Sequence, residues 1–75
     1  MTKIIPRERA TGPMRQTWDR LMAADAALEN YKRTRHGDRD AILNEYTAAV
    51  NAYWKACRAA GYIGRSNRTK PPRLT

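Results

Sequence analysis

Few side chains in this 75-residue chain could do chemistry, and each of them has a simpler use. Cys57 is the single cysteine and His36 the single histidine. A metal site that needs about four N, S or O ligands therefore has no Cys/His set to build on. A nucleophilic Cys57 would need a neighbouring base or cation to hold its thiolate, and its place on an apolar helix face predicts a buried, inert thiol instead. Asp25 and Glu29 stand four apart, the spacing that sets two carboxylates on one helix face, as acid/base chemistry on a glycosidic bond would require. No further catalytic group falls near them, and Glu29 can reach Arg33 at i+4 as a solvated ion pair. Asp25 falls inside the edge of an apolar stripe, between Leu21, Met22 and Leu28. It is expected at a boundary, or bonded to the hydroxyl of Tyr46 or Tyr53, or to a partner's cation. There is no phosphate-cradling glycine loop. The chain reads as a non-enzyme with no cofactor, no metal and no small-molecule substrate.

What stands out is charge. Fifteen Lys and Arg against seven Asp and Glu leave a net charge of +8, large for so short a chain and suited to polyanionic partners. The cations that matter are Lys3, Arg7, Arg9, Arg15, Arg20, Lys55, Arg58, Arg65, Arg68, Lys70 and Arg73. Lys32, Arg33 and Arg35 are explained by a helix C-terminus, and Asp38 and Asp40 by the next helix N-terminus.

The elements that must position these groups follow from glycine, proline and the apolar period. Residues 1–12 show no period, and Pro6 biases Ile5 towards extended backbone, so they form a basic arm with at most one helical turn at Arg7 to Ala10. Pro13, after Gly12 or Thr11 as cap, opens a helix expected over 13–35. Its face is Met14, Thr17, Trp18, Leu21, Ala24, Leu28 and Tyr31. Gly37 supplies a left-handed stop, Asp38 is a good cap, and a second helix is expected over 39–60 before Gly61. That helix carries Ile42, Tyr46, Ala49, Tyr53, Ala56 and Ala60, with a second apolar row of Leu43, Val50, Trp54 and Cys57. Residues 61–75 hold two glycines, Pro71, Pro72 and four cations without an acid, which predicts an extended basic tail.

The fold class is thus all-α: a helical hairpin domain over 13–60 between a basic arm and a basic tail. The three-residue linker, His36 to Asp38, requires antiparallel helices. Facing positions pair Leu28 with Tyr46, Leu21 with Tyr53, and Trp18 with Ala56 or Cys57. A two-helix seam buries little apolar surface, and the wide face of the second helix predicts a further layer: a second copy, making a homodimeric bundle, or an obligate partner. The other way to cover that face is for Ile4, Ile5, Tyr62 and Ile63 to fold back on it.

In an antiparallel pair both extensions leave from one pole, which gathers the candidate cations against Glu8 and Asp19. With Trp18, Tyr53, Trp54 and Tyr62 nearby, that pole resembles a surface for RNA or DNA phosphates with aromatics available for stacking. The alternative is an assembly or regulatory subunit, as in a phage particle or ribonucleoprotein. It would dock on an acidic protein surface through Leu43, Val50, Trp54 and Tyr62. No stretch reaches the length of about 18 apolar residues that a membrane span needs, and an unpaired Cys57 fits a reducing, cytoplasmic setting.

Overall fold

A computed structural model describes residues 4–63 and 71–75. The chain is mostly helical, and its two helices pack against each other. In order, β1 (Ile4–Ile5) leads through a 3-10 turn at Arg7–Arg9 into α1 (Gly12–Thr34), then α2 (Arg39–Ala59), then β2 (Arg73–Leu74).

Each helix end has a local cause. At the start of α1 the Thr11 hydroxyl accepts the Met14 N–H at 3.2 Å, and Pro13 fills a position whose N–H would have no partner. At the start of α2 the Asp38 carboxylate accepts from Asp40 and Ala41 at 3.1 and 3.3 Å. Asp40 adds a second negative charge in the positive first turn. The far end of α2 closes as sequence expects. Gly61 adopts φ +85°, its N–H reaches the Arg58 carbonyl at 3.1 Å, and the Tyr62 N–H reaches Cys57 at 3.0 Å. This pair of bonds is the Schellman stop, and Tyr62 lies against the core cluster that contains Cys57.

The end of α1 differs from expectation. The left-handed residue that stops it is Arg35, at φ 58° and ψ 19°, with its N–H on the Tyr31 carbonyl at 2.7 Å. Gly37 also has positive φ, +120°, but it shapes the connection after the stop. A non-glycine in this region carries a steric cost from its Cβ. Across the helix pair the Trp18 ring meets Tyr53 at 5.2 Å between centroids, and Trp18 packs against the cluster that also holds Ala56 and Cys57.

The core lies where the ends of the described chain meet the helices. Ile5, Ala10, Met14, Tyr53, Ala56, Cys57, Ile63 and Leu74 form one buried cluster, with Trp18, Leu21, Trp54, Ala60 and Tyr62 against it. Small residues at Ala10, Ala56 and Cys57 let the backbone segments approach, and Met14 fills the space between them. β1 and β2 pair in parallel, Ile4 beside Arg73 and Ile5 beside Leu74, and the Thr75 N–H adds a bond to the Ile5 carbonyl at 3.2 Å. The described parts of the arm and tail therefore lie on the core rather than standing away from it. Of the four residues expected to fold back, Ile5 and Ile63 are buried, Tyr62 is half-buried, and Ile4 stays 63% exposed. The alternation along two-residue strands explains Ile4: its neighbour faces in, so it faces out.

Candidate nucleic-acid interface

The candidate cations divide by what already holds them. Lys3, Arg65, Arg68 and Lys70 lie outside the described residues. The Arg7 guanidinium makes a two-pronged pair with Asp19, its NH1 donating to Oδ1 at 2.7 Å and its NH2 to Oδ2. Arg20 does the same with Glu45, Nε to Oε2 at 3.1 Å and NH2 to Oε1 at 2.6 Å. Hydrogen bonds from these guanidinium groups hold both carboxyls below their ordinary values and push both arginines up. The pairs are solvated and add little stability, yet they engage two cations expected to meet phosphate. Glu45 is an acid that the sequence pattern does not place at the basic pole. It sits 25 residues from Arg20 in sequence, and only the packing of α1 on α2 brings them together.

Arg9, Arg15, Lys55 and Arg73 make no ion pair among the described residues. Arg15 turns back along its helix to donate to the Ala10 carbonyl at 3.0 Å. Lys55 and Arg58 are exposed on α2 and line one surface concavity with Val50, Asn51 and Trp54. Positions 51, 54, 55 and 58 follow the three-and-four spacing of a single helix face. A second concavity, an open groove of about 410 Å³, lies alongside and shares Val50 and Trp54. Its walls come from α1 (Trp18, Leu21, Met22, Asp25), from α2 (Tyr46, Val50, Tyr53, Trp54) and from Pro71, Pro72 and Arg73. Trp18, Tyr46 and Trp54 are half-buried and so keep part of their rings towards solvent.

Tyr53 anchors that groove. It is 1% exposed, and its hydroxyl donates to the Pro72 carbonyl, tying α2 to the segment that carries Arg73. Burial, with the adjoining Cys57 thiol, pushes the phenol above its ordinary value. Burial also pushes the Cys57 thiol up, which makes it a poor nucleophile. Of the tyrosine hydroxyls that Asp25 could bond, that of Tyr53 is taken by Pro72. The Asp25 carboxylate, half-buried on the groove wall, has no hydrogen-bond or ion-pair partner among the described residues.

The remaining expected residues are placed as follows. Glu29 pairs with Lys32 at 3.5 Å rather than with Arg33, whose NH2 donates to Asn30 at 3.2 Å. His36 is exposed in the interhelical connection. Of the expected protein-docking residues, Val50 and Trp54 line the groove, Leu43 is half-buried, and Tyr62 packs on the core. Among the described residues no three His, Cys, Asp or Glu side chains cluster as metal ligands, and no helix is long and apolar enough to cross a membrane.

The groove as a unit is not visible in the sequence. Trp18, Tyr46 and Tyr53 read there as helix faces and Pro71 and Pro72 as a tail, and no local pattern shows that the prolines return to wall those faces. The sequence does carry one further signal. From Tyr46 to Thr75 there is no acid, while Lys55, Arg58, Arg65, Arg68, Lys70 and Arg73 supply six cations. Compared with protein-family models, with curated proteins and with solved structures, the chain matches none.

Proposed function

We propose that the chain is a small, non-enzymatic, basic helical protein that binds nucleic acid by gripping its phosphates. The observation that carries this is the acid-free stretch from Tyr46 to Thr75, within which Lys55 and Arg58 line one surface concavity of α2 with Trp54. Cations that engage phosphates draw affinity from released counterions, and the absence of acids among them leaves that attraction unopposed. Lys55 and Arg58 are mounted on α2, so little chain entropy is lost when they engage phosphates. In this proposal the helices run antiparallel, which sets the start of α1 and the end of α2 at one pole. A second copy or partner adds its layer over the half-buried Leu28, Ile42 and Leu43, and the reduced Cys57 belongs to a cytoplasmic protein.

The test is affinity for RNA and DNA oligomers across a salt series. A linear fall of log affinity with log salt is expected, and Lys55→Gln with Arg58→Gln should reduce the slope by about 0.7 to 0.9 for each phosphate left unneutralised. Arg20→Gln, which removes a guanidinium already held by Glu45, serves as the control with a smaller effect. Absence of salt-sensitive binding to any nucleic acid overturns the proposal. Capture of an acidic protein through Val50 and Trp54 would then mark the chain as a docking subunit.

A further inference from the structure

We infer that the groove between α1, α2 and the Pro71–Pro72 segment accepts an unpaired nucleobase, so that the protein prefers single strands to duplex; this rests on the phosphate-binding role proposed above. The groove's volume of about 410 Å³ falls within the range of ligand pockets, roughly 300 to 1,000 Å³. Its walls include the half-buried aromatics Trp18, Tyr46 and Trp54, the residue type on which single-strand platforms stack bases.

Charge decides which group goes in and which stays out. Asp25 stands in the wall without a partner among the described residues, and an ionised carboxylate is an acceptor only. A phosphate or an acidic side chain inside the groove would be repelled by it. A basic peptide would suit Asp25 but would meet a chain of net charge +8. What fits both is a neutral, flat, hydrogen-bond-donating ring on an anionic backbone: the base enters towards Asp25, and its phosphates stay at the rim with Arg73 and, around Trp54, with Lys55 and Arg58. In a duplex both faces of a base are stacked and its pairing edge is occupied, so only an unpaired base can enter. The acceptor at Asp25 further favours bases that present an amino group, such as cytosine, over thymine, which turns a carbonyl to the same place.

The experiment uses the full chain and three probes of about 15 units, long enough for one site: oligo-dC, oligo-dT and a mixed-sequence duplex, at pH 7.5 and equal salt. Tryptophan fluorescence and affinity are both read. Quenching by single strands only, with oligo-dC binding about tenfold tighter than duplex, is expected. Trp54→Ala should remove most of that advantage while keeping the parent's helical circular dichroism, which shows that the variant is folded. Asp25→Asn, conservative in size, should erase the preference for dC over dT without weakening binding to dT. Salt-sensitive binding that is equal for single strand and duplex and leaves the tryptophans unquenched overturns base insertion but not the phosphate role. No salt-sensitive binding overturns both.

Discussion

Two regions of one helix pair are held by different means. Where the ends of the described chain meet the helices, Ile5, Met14, Tyr53, Cys57, Ile63 and Leu74 are sealed from water in a shared cluster. Around the interhelical connection, Leu28, Tyr31, Ile42 and Leu43 are only half-buried, and residues 32–41 are all exposed. There the structure relies on backbone devices: the Asp38 cap, the left-handed Arg35 and the positive φ of Gly37. One region is built from residues distant in sequence, the other from residues a few positions apart. Stability should therefore be sensitive to side-chain volume in the first and to backbone conformation in the second.

The largest expected effect is truncation in the sealed cluster. Met14→Ala should cost about 2 to 5 kcal/mol, because Met14 is fully enclosed, whereas Leu28→Ala should cost clearly less. Urea denaturation of both variants compares the regions directly, and equal losses would break the distinction. Leu74→Ala tests whether the strand pair belongs to the core, with an expected loss of about 2 kcal/mol. Tyr53→Phe, which leaves the Pro72 carbonyl without its donor, should cost about 1 kcal/mol in the same assay.

At the connection the expected changes have opposite signs. Arg35→Gly should stabilise the protein by about 1 kcal/mol, since it removes a Cβ from a left-handed residue. Gly37→Val should destabilise by a similar amount, because its φ of +120° is one that a β-branched side chain rarely adopts. Thermal midpoints that move the same way in both variants would show that this connection is not held by its backbone.

The smallest effects are those of pH. Asp19 and Glu45 have depressed values when folded, so their contribution is present above the ordinary carboxylate range and is lost as pH falls through it, below about 4. Cys57 is raised by burial, so the folded state gains from its neutral thiol below the ordinary value of about 8.5 and loses that gain as pH rises beyond it. A stability profile should accordingly fall gently on the acid side and again on the alkaline side. Cys57→Ala should flatten the first part of the alkaline limb, from about 8.5, and leave the loss above about 10 that the raised Tyr53 phenol produces.

The same division explains what sequence could reveal. Helix starts are legible because Pro13, Thr11 and Asp38 act on backbone within three residues of themselves. The Gly61 stop and the place of Tyr62 are legible for the same reason. The stop at Arg35 is not, because arginine carries no preference for left-handed backbone and Gly37 offers a better-looking candidate two residues on. The arginine partners are hidden for a different cause. Whether Arg20 meets phosphate or Glu45 depends on how one helix is rotated against the other, and apolar period alone leaves that rotation loose. The strand pair is the least legible of all, since two residues at each end of the chain carry no period and find each other only after the helices have formed.

The parallel pairing of Ile4 with Arg73 also has a kinetic consequence. It joins positions 69 apart, so it closes a loop of nearly the whole chain. Closing so long a loop costs more entropy than any helical turn, and a two-strand ladder returns few bonds for it. Collapse of the helices against each other is therefore expected first, with the ends of the chain pairing last. The earliest step of unfolding is then the reverse: the strands part, Leu74 and Ile5 are wetted together, and Tyr53 gives up Pro72. Hydrogen exchange should register this as one opening event, faster than global unfolding, shared by amides near both ends of the sequence.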